Sequence, residues 1–93
     1  MSNKEEELVT NGDEAEVVLQ APAFNNTVNK LVESCFQSFV NSKAEEAEAR
    51  EKTYHHYRAL VDIVETLKQS VSVRNEIQSK NKTDNQEEEG TDH

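Results

Sequence analysis

The sequence predicts an all-α chain: two amphipathic helices, as a helical hairpin or one long kinked coiled coil, between disordered acidic tails. Three observations carry this. Most large apolar residues fall between Val28 and Ile77, they recur at steps of three and four, and no Pro or Gly interrupts that stretch. Apolar residues make up 33% of the 93 and charged residues 31%, a mixture between globular and disordered chains, so at most one small domain is expected. The organisation that follows is an acidic N-terminal tail over 1–24 with an apolar island at 17–19, a helical region over 25–78, and an acidic C-terminal tail over 79–93.

The tails are assigned by charge. Residues 1–24 carry one Lys against six acids, and residues 81–93 one Lys against five. The residues between them balance, so the net charge of -9 sits at the two ends. Asn11-Gly12 reads as a turn signal inside the first tail. Val17-Val18-Leu19 reads either as loose packing at a helix entrance or as an extended segment that docks on a partner.

The first helix is expected after Pro22, with Asn25, Asn26 or Thr27 as its N-cap. Val28, Leu31, Val32, Cys35, Phe36, Phe39 and Val40 then form a broad apolar face, wider than a two-residue seam and suited to more than one neighbour. Large apolar residues stop at Asn41. Ser42 and Glu45 have capping-box spacing, which favours a break at 41–43 and a second helix after it; one continuous helix of about fifty residues is the alternative, since no Pro or Gly intervenes. That helix has the clearest pattern: Tyr57, Leu60, Val64, Leu67 and Val71 step 3, 4, 3, 4 as a heptad seam. Val61 and Ile63 widen the seam, and Arg74 takes one of its positions.

No chemistry is visible. Tyr54-His55-His56-Tyr57 sets two His about 100° apart on a helix, whereas a metal pair needs positions i and i+4. Cys35 lies on the apolar face, reads as a small hydrophobe, and a lone Cys forms no internal disulfide. Two Gly leave no phosphate cradle, and no nucleophile motif or paired-acid pocket is present. We therefore expect neither an enzyme nor a cofactor or metal. The acidic tails disfavour direct nucleic-acid binding. No apolar run is long enough for a membrane span, and the first residues form no signal peptide, so an intracellular setting is expected.

Two helices cannot enclose so many apolar side chains, because paired cylinders leave half of each face wet. A four-helix arrangement can enclose them. The expected partners are other helical subunits, with a hetero-oligomer placed ahead of a homo-oligomer. The residues expected to bind them are Val28, Leu31, Val32, Cys35, Phe36, Phe39, Tyr57, Leu60, Val64, Leu67 and Val71. A scaffold or adaptor subunit follows.

The run Leu60-Val61-Asp62-Ile63-Val64-Glu65-Thr66-Leu67-Lys68-Gln69, followed by Arg74-Asn75-Glu76, resembles a stretch of the Surfeit-type subunit of the Mediator head module. The segment from Asn29 to Ala44 resembles the first helix of that family, so the likeness covers residues 28–77. The connecting region here is shorter by several turns, and the long third helical part of the family has no counterpart in the residues compared. The resemblance implies a nuclear scaffold subunit of a transcription coregulator, paired with another small helical subunit. Periodicity alone also suits a self-associating coiled-coil subunit of a kinetochore or organelle-trafficking complex of the lysosome-biogenesis type.

Leu67→Asp puts a charge in the middle of the seam and is expected to abolish association, whereas removal of residues 80–93 leaves it intact. Co-sedimentation of the two variants with captured partners checks this. Loss of the complex on tail removal alone would put the interface elsewhere.

Overall fold

The computed structural model describes residues 2–91, with side chains described over 2–83. It is all-helical, with α1 over Asn3–Gln20, α2 over Pro22–Val40 and α3 over Ala47–Thr91. The chain divides into two compact units. One joins residues 1–18 to residues 67–93, and the other is Leu19–Thr66. The long helix α3 thus supplies its first part to one unit and its second to the other.

The unit formed by α2 and the first part of α3 is an antiparallel helix pair. Leu31 and Cys35 of α2 line one groove with Leu60 and Ile63 of α3, and Arg50 of α3 donates to Ser42 Oγ just beyond the end of α2. Pro22 starts α2 because its ring presets the helical φ and its missing N–H needs no partner. The N-cap is Ala21, with no side-chain cap, and this corrects the expectation that Asn25, Asn26 or Thr27 caps the helix. Asn25 turns backwards instead. Its Nδ2 donates to the Leu19 carbonyl at 2.8 Å and to the Ala21 carbonyl at 3.2 Å, tying the end of α1 to the start of α2.

The break expected at 41–43 spans 41–46, and α3 begins at Ala47. Ser42 does not cap α3. Its hydroxyl donates to the Phe39 carbonyl at 2.8 Å and closes the end of α2. The turn is held from the other side by Arg50, whose guanidinium donates to the Lys43 carbonyl, to the Ala44 carbonyl at 3.3 Å and to Ser42 Oγ at 3.4 Å. A flat fork of several donors suits carbonyls that point in different directions at a helix–helix turn.

The second unit corrects the reading of the N-terminal tail. Residues 3–20 form α1, which lies antiparallel to the second part of α3. Ser2 Oγ accepts the Glu5 N–H at 3.1 Å, and Glu5 and Glu6 face the positive end of the helix dipole. Gly12 and Ala15 are buried against α3. Asn11-Gly12 is therefore helix interior, where the missing side chain permits close approach rather than a turn. The island Val17-Val18-Leu19 is the last turn of α1, not an extended segment. Of the acidic tail expected over 79–93, residues 79–91 continue α3, and the last two lie outside the described residues.

Arg50→Ala is expected to loosen the α2–α3 turn by about 1 kcal/mol, the net size of hydrogen bonds at a partly exposed site. A lowered urea midpoint and faster amide exchange over 42–46 would show it. Arg50→Lys should not rescue, because one ammonium cannot reproduce the fork. An unchanged midpoint in Arg50→Ala would remove the guanidinium from this role.

Candidate interaction surfaces

Among the described residues neither unit encloses a large apolar side chain. Among the described residues, the buried hydrophobic side chains are Ala15 and Cys35, and none is fully buried. The residues expected to bind partners divide accordingly. Cys35 is buried between the helices of its pair, with Val28, Val32, Phe39, Tyr57, Leu60 and Val64 half-buried. Leu67 and Val71 are half-buried in the other unit. Leu31 and Phe36 remain exposed, at 46% and 57%. The heptad seam of α3 is thus used within the chain first, and the residues left over lie beside it.

In the α2 unit these left-over residues fall on two flanks. One is an apolar groove of about 340 Å³, lined by Leu31 and Cys35 from α2 and by His56, Ala59, Leu60 and Ile63 from α3. Ser34 and Ala59, both small, lie along it. Phe36 is five residues beyond Leu31, about 140° around the helix, and so faces the opposite flank. Val40, one turn on, lies on the same side of α2, and both side chains are exposed, as is Tyr54 of α3. Leu31 and Phe36 are legible in the sequence, but not the placement of Leu31 beside His56 and Ala59. Only the antiparallel register brings these residues together.

His55 and His56 separate as helical geometry requires. His55 is exposed, 3.8 Å from Glu51 and edge-on to the Tyr54 ring, while His56 lines the groove. Groups of three His, Cys, Asp or Glu that could hold a metal are absent among the described residues. Among the same residues no hydrogen bond joins Cys35 to His56. No described helix is long and apolar enough to cross a membrane.

The α1 unit holds the one buried charge among the described residues. Arg74, 7% exposed, sits where the heptad asks for an apolar side chain. Its Nη1 donates to Asp13 Oδ1 at 2.9 Å, and its Nη2 donates to Glu16 Oε1 at 3.0 Å. Asn75 Oδ1 accepts from Nε at 3.2 Å and from Nη2 at 2.9 Å. A buried guanidinium needs this many acceptors to offset its lost water. Gly12 lies directly over it. A Cβ on Gly12 would come within 2.8 Å of the Ser70 carbonyl and would overlap the Arg74 Cβ. These residues were legible only in part. Ser2-x-x-Glu5 has capping-box spacing, and Leu8, Gly12, Ala15 and Leu19 step 4, 3, 4, but two of those four are too small to register as an apolar stripe.

The hydrogen bond from Arg74, and after it the Arg74 charge, hold the Glu16 carboxyl below its ordinary value; partial burial and the nearby Asp13 oppose this. The same carboxylates raise Arg74 further. A lowered carboxyl stabilises the folded state above the unfolded value, near 4.5, and that stabilisation is lost as pH falls through the lowered value. Contact of α1 with α3 is therefore expected to weaken in acid below about pH 4.5, seen as faster amide exchange over 3–20. Glu16→Gln should flatten the acid response. An identical response in that variant would take Glu16 out of the contact.

Compared with known protein families, curated proteins and solved structures, the chain matches none of them.

Proposed function

We propose that this chain is a non-enzymatic helical scaffold or adaptor subunit of a multiprotein complex, and that the pair of α2 with Ala47–Thr66 is the part that joins its partners. The observation that supports this most directly is a helix pair with large apolar side chains exposed on both flanks and no large side chain enclosed. Single exposed apolar residues are ordinary on any surface. Here they are grouped: Leu31 and Ile63 along one groove, and Phe36 and Val40, one turn apart, on the other side of α2.

Burying one such side chain contributes about 1.5–3 kcal/mol, a gain that an isolated pair leaves unrealised. Helices laid along the flanks realise it by completing a bundle. The small side chains of Ser34 and Ala59 let a third helix approach the groove closely, and Leu31 and Ile63 fit between the side chains of an incoming apolar stripe. The partner in this reading is another helical polypeptide. The resemblance over residues 28–77 supports a Mediator-type coregulator, and with it the nucleus, as the setting.

The test is the full chain alone and in company. Alone, the chain should lose its helical circular dichroism gradually on heating, without a cooperative transition. A cooperative melt of a monomer, unchanged by dilution, would count against the proposal. In affinity capture from nuclear extract, Phe36→Asp combined with Ile63→Asp should lose the co-purifying chains while keeping the monomer's helix content, since both side chains already face water. Equal capture by variant and wild type would clear these flanks of the role.

A further inference from the structure

The helix α1 is stabilised by contact more than by composition. Its 18 residues include Gly12 in the interior, Val9, Val17 and Val18, and Thr10 and Asn11. An interior Gly costs about 1 kcal/mol relative to Ala, and a peptide of this length is marginal in water even when rich in Ala. It buries Gly12 and Ala15 and leaves Leu8, Val9 and Leu19 half-buried, while Val17 stays 69% exposed. Its ion pairs to Arg74 use carboxylates whose side chains are 60% and 44% exposed, where water competes strongly.

The surface beneath it is more specific than this hold is strong. The seam of α3 from Leu67 to Arg74 presents half-buried Leu67 and Val71, a backbone carbonyl at Ser70 with no room for a Cβ above it, and one buried guanidinium. A lone buried charge of this kind selects its occupant, since any helix without carboxylates at the matching positions would leave it unpaired.

We propose that the Leu67–Arg74 seam is a docking surface for an acidic amphipathic helix of another polypeptide, and that α1 is its built-in, displaceable occupant. The footprint of α1 states the chemistry of that partner. It carries a small residue at one position and again three residues on, as Gly12 and Ala15 do, so that the backbones close. It carries a carboxylate after each, as Asp13 and Glu16 do, to take the guanidinium. The seam then exchanges one acidic helix for another of the same pattern, and α1 loses its helix when released. This surface is separate from the flanks of the α2 pair and does not depend on their role.

The probe is a fluorescently labelled peptide of this chain's own residues 2–21, added to the full chain and followed by anisotropy. With α1 seated, the peptide should bind weakly. Gly12→Leu in the chain ejects the resident helix without touching the seam and should tighten peptide binding by about tenfold or more, the factor by which closure hides the site. Asp13→Lys with Glu16→Lys in the chain should do the same, which guards against a folding defect peculiar to Gly12→Leu. Arg74→Glu should abolish binding of the native peptide, and a peptide carrying Asp13→Lys and Glu16→Lys should restore it. Equal binding to wild type and to both opened chains would overturn displacement, and binding indifferent to Arg74→Glu would overturn the assigned partner chemistry.

Discussion

A helix with one neighbour can bury one stripe, and every feature of this molecule answers to that limit. Each unit is a pair: α1 with the second part of α3, and α2 with the first. A pair encloses the line between its axes and leaves the flanks to water, so its buried hydrophobic positions hold small side chains, Ala15 in one unit and Cys35 in the other. Leu, Phe and Ile reach past that line. Their exposure follows from the number of helices present rather than from weak packing between the two.

Within that limit the two pairs are built differently. The α2 pair relies on apolar contact and on a braced turn, where the Ser42 hydroxyl donates to the Phe39 carbonyl at the end of α2 and the Arg50 guanidinium donates to the Lys43 and Ala44 carbonyls of the turn. The α1 pair relies on closeness and charge. Gly12 lets two backbones meet, and Arg74 occupies an apolar position at the cost of burying a charge, offset by Asp13, Glu16 and Asn75. Apolar contact tolerates many partners of similar size, whereas a buried guanidinium tolerates few. In the two proposed roles the α2 pair is the adhesive part of the chain, and the α1 pair the selective one.

Both readings of function draw on that difference. An assembly subunit needs surface that stays soluble until a partner arrives. In the proposed role the surplus acids of residues 1–24 and 81–93 serve this end, through mutual repulsion between copies of a chain with net charge -9. A resident helix over the rest of the seam serves it too, by covering Leu67 and its neighbours with the chain's own carboxylate-bearing surface.

The all-α class, the heptad positions from Tyr57 to Val71 and the interruption after Val40 are readable in the sequence, because large apolar residues at helical steps are a local signal that needs no knowledge of what lies opposite. Arg74 could be seen to take a seam position, though not what would pair with it. Three things were decided only in three dimensions. The first tail became a helix because its stripe is made of Gly12 and Ala15, which bury by letting another backbone come near, and that backbone is some sixty residues away. Asn25 and Ser42 have the residue types of N-caps, yet each turned back to a carbonyl of the preceding helix because Pro22 and the 41–46 turn had already set where α2 and α3 begin. Leu31, His56, Ala59 and Ile63 share a groove only through the antiparallel register of α2 and α3, and pairing between distant segments leaves no mark on the periodicity of either one.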